Sequence, residues 1–190
     1  MSRLPLLLVP LLALAGCGGS PEPPAESGKT GMAAVSEKAM GELREELANE
    51  NLSLHDGDGT APKAEISPAG DLIIDGQPVP LDAAQRKLVL DYRAQLAGVA
   101  EAGAEVGLQA AGLATRALAE TAKGLVSGDT ASIEERMKDQ AKDIEGTAKQ
   151  LCDRLPALYA SQQALRQAVP QFEPYAQMDE TDVEDCHVEQ

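Results

Sequence analysis

The stretch Asp71-Leu72-Ile73-Ile74-Asp75-Gly76-Gln77-Pro78-Val79-Pro80-Leu81-Asp82-Ala83-Ala84-Gln85 changes its structural period part-way, and that change decides the fold class. Leu72 to Ile74 is a short β-prone run. Asp75-Gly76 is a two-residue hairpin signal of the I′ kind, a turn whose two central residues both need positive φ. The prolines of Gln77-Pro78-Val79-Pro80 have no N–H to give to a ladder, so they fit an edge strand only. At Leu81 the spacing turns helical, with Asp82 as N-cap and Gln85 at the capping-box position.

Upstream of that switch the period is two. Leu52 and Leu54 alternate with Ser53 and His55, Ala64 and Ile66 alternate with Lys63 and Glu65, and Ser67-Pro68-Ala69-Gly70 is a turn. A meander of three or four short antiparallel strands follows from this. Further upstream, Met40, Leu43 and Leu47 line one face of a short amphipathic helix over Val35 to Ala48, with Ser36 as its N-cap.

Downstream, Leu88, Tyr92, Leu96, Val99, Gly103, Val106, Ala110, Leu113 and Ala117 recur at spacings of four and three, and the pattern persists to about Val126. Gly98, Gly103, Gly107 and Gly112 each weaken such a helix by up to about 1 kcal/mol relative to Ala, so a bend is allowed there. Ser127-Gly128-Asp129 is a turn, and Ser132 to Glu135 forms a second capping box. A second long helix carries Ile133, Met137, Ala141, Ile144, Ala148, Leu151, Leu155, Leu158, Gln162, Leu165 and Val169, with a kink expected at Pro156. The short turn makes the two helices antiparallel neighbours. The small residues Gly103, Gly107 and Ala111 let them approach closely. Pro170, Phe172 and Pro174 end the second helix, and an acidic tail is expected to run as loop to the end.

The fold class is therefore α+β: a short N-terminal helix, a small antiparallel β-meander, then a long antiparallel helical hairpin. The front of the chain carries an address. Arg3 precedes an apolar run from Leu4 to Leu14, about 11 residues, which at ~1.5 Å rise is far too short for a hydrocarbon core roughly 30 Å thick. That run ends in Leu14-Ala15-Gly16-Cys17, which resembles the bacterial lipobox. The resemblance implies cleavage before Cys17 and lipid chains on it, which together anchor a protein where one chain would not. Gly18 follows Cys17 in place of the Asp that marks inner-membrane retention. By that analogy the destination is the periplasmic face of the outer membrane. The Gly-, Pro-, Ser- and Glu-rich segment that follows reads as a disordered tether.

Lipidation of Cys17 leaves Cys152 and Cys186, and two thiols in an oxidising compartment most simply form one disulfide. A metal site using Cys152, Cys186 and His187 lacks any C-x-x-C spacing, so no metal and no cofactor are expected. The organisation is then 1–16 signal peptide, 17–32 lipidated Cys and tether, 33–81 helix plus meander, 82–169 helical hairpin, and 170–190 acidic tail tied by the disulfide.

The segments Lys63-Ala64-Glu65-Ile66, Gly70-Asp71-Leu72-Ile73-Ile74-Asp75-Gly76, Leu81-Asp82-Ala83-Ala84-Gln85-Arg86 and Asp91-Tyr92-Arg93, followed by an Ala/Gly-rich helix and a late Cys, resemble the YggN-like family. These are uncharacterised gammaproteobacterial envelope proteins grouped as a domain of unknown function. The resemblance runs from about the first helix to Cys186. It implies an envelope location and the β-then-helix order, and it brings no catalytic residue, cofactor or substrate.

Composition narrows the function classes. With 16 Lys+Arg against 31 Asp+Glu the chain stands at −15, which opposes phosphate contacts with nucleic acid and any electrostatic grip on anionic lipid. Aromatic residues at 2% provide no stacking platform for single strands. His55 ends a strand and His187 lies beside a half-cystine, so neither is placed for nucleophilic catalysis. Asp56-Gly57-Asp58-Gly59-Thr60 resembles a calcium loop but has Ala61 and Ser67 where the EF-hand order needs Gly and Glu. It reads as an inter-strand loop. The expectation is a non-enzymatic lipoprotein, held at the membrane through Cys17, whose hairpin meets an envelope protein partner. The alternative is a carrier or chaperone holding an apolar ligand between Gly/Ala-rich helices.

Overall fold

The computed structural model describes residues 27–127 and 131–188. The signal segment, Cys17, the tether as far as residue 26, Gly128 and Asp129 of the expected turn, and the last two residues lie outside the described residues. So do the side chains of the Ser132–Glu135 capping box, apart from that of Glu135.

Among the described residues, five helices and four strands follow one another in the order helix, sheet, helices. They are α1 (Ser27–Asn49), β1 (Leu52–Leu54), β2 (Ala64–Ile66), β3 (Leu72–Ile74), β4 (Gln77–Pro78), α2 (Ala83–Ser127), α3 (Ala131–Cys152), α4 (Leu155–Ala168), a 3-10 segment (Pro170–Tyr175) and α5 (Glu180–Val188). The sheet is antiparallel throughout, in the order β1-β2-β3-β4. Its register sets Leu52, Ile66 and Leu72 in one row and Leu54, Ala64 and Ile74 in the next. Since alternate residues share a face, those six apolar side chains form the face that meets the helices. Asp75 and Gly76 turn β3 into β4 with φ of 51° and 75°, the two positive values a type I′ turn demands.

The helix after the sheet starts where its capping chemistry places it. The Asp82 N–H donates to Gln85 Oε1 at 2.9 Å, and the Gln85 N–H donates to Asp82 Oδ1 at 2.8 Å. The Gln85 amide also donates to the Ala168 carbonyl at 2.8 Å, tying the start of α2 to the end of α4. From there α2 runs without a break past all four of its expected weak points, a span of ~68 Å at 1.5 Å per residue. Both α3 and α4 pack back along it, giving the antiparallel hairpin.

The core lies between the sheet, the first turns of α2, and α4 with the segment after it. Ala64, Ile66, Leu72, Val89, Tyr92, Leu158, Leu165, Val169, Phe172 and Tyr175 form one buried cluster. Phe172 is fully buried, edge-on to Tyr92 with ring centroids 5.1 Å apart, and 6.4 Å from Tyr175.

Three local expectations are corrected. The first helix begins at Ser27, so Ser36 sits inside it and the tether boundary at residue 32 is too late; Lys29, Met32, Ala33 and Ala34 are helix formers that carry α1 backwards through Gly31. The second long helix does not kink at Pro156 but breaks at Asp153-Arg154. Pro156 then sits in the first turn of α4, where a missing N–H costs nothing. Finally, the segment after Pro170 is not loop. Pro170–Tyr175 forms a 3-10 turn whose three-residue repeat puts Phe172 and Tyr175 on the same buried side. Asp179 and Asp182 then cap α5 reciprocally: the Asp179 N–H donates to Asp182 Oδ2 at 2.8 Å, and the Asp182 N–H donates to Asp179 Oδ1 at 3.2 Å.

Candidate functional site

Of the residues singled out in the sequence, Cys17 lies outside the described residues. Cys152, at the last residue of α3, and Cys186, in α5, are joined as a disulfide with Cα atoms 5.6 Å apart. Cys152 is buried at 3% exposure, whereas no described side chain of α5 is buried. The bond therefore carries much of α5's attachment. Closing a 34-residue separation stabilises by roughly 3–4 kcal/mol on the chain-entropy model. The segment leading into α5 is held separately. Buried Gln162 donates to the Met178 carbonyl at 2.7 Å and accepts from its N–H at 3.2 Å, and the Tyr175 hydroxyl donates to the Pro62 carbonyl at 2.6 Å.

Arg93 is a buried cation whose role the sequence reading did not find. It is 6% exposed, and its guanidinium donates at 2.7 Å to each of three carbonyls: Ile66 of β2, Leu47 near the end of α1, and Glu50 just past it. The last carbonyls of a helix are left without intrahelical donors and carry partial negative charge, so they serve as its counter-charge. Burial pulls its pKa below the ordinary arginine value. One side chain thus locks α1, the sheet and α2 together.

His55 stands exposed at the end of β1, and the loop after it is closed on itself. Asp56 accepts from the N–H groups of Gly59 (3.0 Å) and Ala61, and Asp58 accepts from the N–H and hydroxyl of Thr60 at 3.0 and 2.7 Å. The Thr60 bonds hold the Asp58 carboxyl below the usual range. Gly57 and Gly59 supply the positive φ this winding needs, 78° and 74°. Among the described residues no group of three His, Cys, Asp or Glu is arranged to hold a metal ion.

Among the described residues, two concavities stand out. The larger, about 610 Å³ and wide open, is lined by Glu42, Glu45, Glu46, Asn49, Glu50 and Asn51 at the end of α1. The smaller, about 150 Å³, lies where α1, α2 and α3 meet beside the start of α4, and its lining includes Arg44, Glu101, Glu105 and Arg154. Both are polar.

The other feature is an arm. Beyond Val99, α2 leaves the core, and α3 returns alongside it. No described residue between Arg93 and Cys152 is buried. The two helices are cross-linked by polar pairs, Arg136 to Glu120 at 2.8 Å and Thr147 to Gln109 at 3.0 Å, across a half-buried seam that includes Val106, Leu113 and Ala117, whereas Gly107 and Ala111, expected to let α3 approach closely, are exposed. No described helix is long and apolar enough to cross a membrane.

Residues 130–178 match the family model described as protein of unknown function (DUF2884). The match covers about a quarter of the chain, taking in α3, α4 and the 3-10 segment as far as Met178. It therefore includes Cys152, Gln162, Phe172 and Tyr175, the residues that bind the return helices and the tail to the core. No curated protein and no solved structure matches the chain.

Proposed function

We propose that this chain is a lipoprotein anchored through Cys17 at the periplasmic face of the outer membrane, acting without catalysis as an interaction or structural module. The lipobox Leu14-Ala15-Gly16-Cys17 supports the anchor. The geometry that supports the module reading best is the arm, a paired-helix projection with no buried residue among those described, standing on a body that is fully cored. A hairpin that does not seal its own faces is suited to meeting another surface. Kinship to the YggN-like envelope proteins is part of the same reading, with the family match over residues 130–178 as its support and the remainder from α1 onward as its proposed extension.

The carrier alternative receives less support, because carboxylates, amides and guanidiniums make up most of the lining of the two concavities described, with Met40 and Ala102 its apolar members. Cell fractionation of Cys17→Ser tests the anchor. The variant is expected to leave the membrane fraction with its Cys152–Cys186 bond intact. A Cys17→Ser chain that still sediments with outer membrane after a salt wash overturns the lipid-anchor reading.

A further inference from the structure

The arm carries a second apolar seam that its own partner helix does not use. On α2, Gln109 and Glu120 mark the side that faces α3. Around the opposite side run Ala104, Leu108, Ala111, Thr115 and Leu118, at spacings of four, three, four and three. That is the a/d repeat of a helix seam. From Ala111 onward it is open to solvent, and Leu118 is 75% exposed. The Thr115 hydroxyl donates to the Ala111 carbonyl at 2.9 Å within its own helix, so the seam presents its methyl and no unsatisfied hydroxyl. Between Glu105 and Arg116 there is no charged residue on any face of α2. A helix uncharged all round calls for cover on more than one side.

We propose that a second copy of this chain covers this seam, with α2 packing antiparallel on α2 about a two-fold axis at Ala111. The occupant follows from the seam's self-complementarity. Reversal about Ala111 sets each Leu118 of the seam against the other copy's Ala104, and Ala111 against itself. A large side chain meets a small one at each end of the contact. Such an interface is isologous and closes at two copies. Charge fits the same arrangement. Glu105 and Arg116 lie on one flank of α2, six residues before and five after Ala111, and neither makes an ion pair among the described residues. The axis brings Glu105 of one copy to within about one residue rise, ~1.5 Å along the helix, of Arg116 of the other. Residues 103–152 hold six Lys or Arg against eight Asp or Glu, so nearly all of the chain's −15 lies elsewhere. An antiparallel pairing puts those two acidic bodies at opposite ends, where their repulsion is weakest. The contact goes beyond the module reading above and stands whether or not the chain is lipidated; it leaves the outward face of α3 free for a different partner.

The test uses the axis itself. Ala111→Cys in the full chain, purified in detergent and mildly oxidised, places two thiols next to each other only if two copies meet there. The expected result is a reductant-sensitive species of twice the chain mass, linked through residue 111 in peptide mapping, with the Cys152–Cys186 bond retained. Wild-type chain and Asp139→Cys, exposed on α3, are expected to stay single under the same treatment. Adding Leu118→Lys to Ala111→Cys should cut the linked fraction roughly tenfold or more at unchanged circular dichroism, since a charge replaces one buried leucine at each end of the contact. Equal linking by Asp139→Cys, linking indifferent to Leu118→Lys, linking to some other protein, or no linking through residue 111 would each overturn the proposal.

Discussion

The body and the arm are built from the same long helix, yet they are held in different ways. Over its first turns α2 places Val89, Tyr92 and Arg93 out of solvent, against two rows of sheet residues, α4 and the aromatic turn at Phe172. Half-buried Leu96 and Val99 still pack against that core, and beyond them the helix continues and the core does not. There Ala and Gly replace Val and Tyr, and the contacts to α3 are half-buried or polar. Helix propensity carries α2 across both regions without a change in backbone form. Tertiary packing, which supplies most helical stability in proteins, is concentrated in one of them. Continuity of secondary structure is thus no measure of uniform stability.

The largest expected effect lies in the body. Phe172→Ala removes the ring that Tyr92 and Tyr175 both touch and should cost about 4 kcal/mol in urea unfolding. A cost under about 1 kcal/mol would mean that the tail is not part of the core. Next, Arg93→Met leaves three carbonyls without their donor, at a cost of about 3 kcal/mol. Its signature is local: amide exchange should rise at the end of α1 before it rises in α4. Equal loosening of both would break the view of Arg93 as the α1 latch.

Tyr92 supplies the pH test. Burial pushes its phenol up to about 12, against an ordinary value of 10. A folded pKa above the unfolded one means that the stabilisation is complete below pH ~10 and is lost as pH rises from there through the folded value, by about 2 kcal/mol. Tyr92→Phe should flatten the alkaline limb of the stability profile relative to wild type. An identical limb in both proteins would contradict it. The smallest effect belongs to the arm. Gly112 has nothing within 4 Å of the position its Cβ would take and lacks a positive φ. Gly112→Ala should therefore raise stability by about 0.5–1 kcal/mol, and do so in the arm's amides alone.

Much of this plan was legible in the sequence. The hairpin at Asp75-Gly76, the capping box at Asp82 and Gln85, and the change from period two to helical spacing all act through neighbours close along the chain, and they appear as written. The missed parts depend on contacts far apart. Arg93 reads as one more charged helix residue because its acceptors are backbone carbonyls 27, 43 and 46 residues away, groups that leave no mark on residue type. The tail reads as solvated loop because seven acidic residues are spread along it and two prolines open it. Its burial rests on Phe172 and Tyr175, three apart, too short a pattern to announce an element. Pro156 was visible, but a kink and a new first turn differ only in whether the preceding helix has already ended. Of the candidate site, Cys152 and Cys186 could be singled out by elimination, while the outer seam of α2 emerged only once the side facing α3 was known.

Hydrogen exchange read by mass spectrometry on the dilute full chain tests the division most directly, because one helix serves as its own control. Amides of α2 over residues 86–96 should be protected to nearly the global unfolding free energy, while those over residues 104–118 should exchange through smaller openings and gain protection as concentration rises. Equal protection along the whole of α2 at every concentration would contradict the account, and the arm would then have to be counted as part of the body.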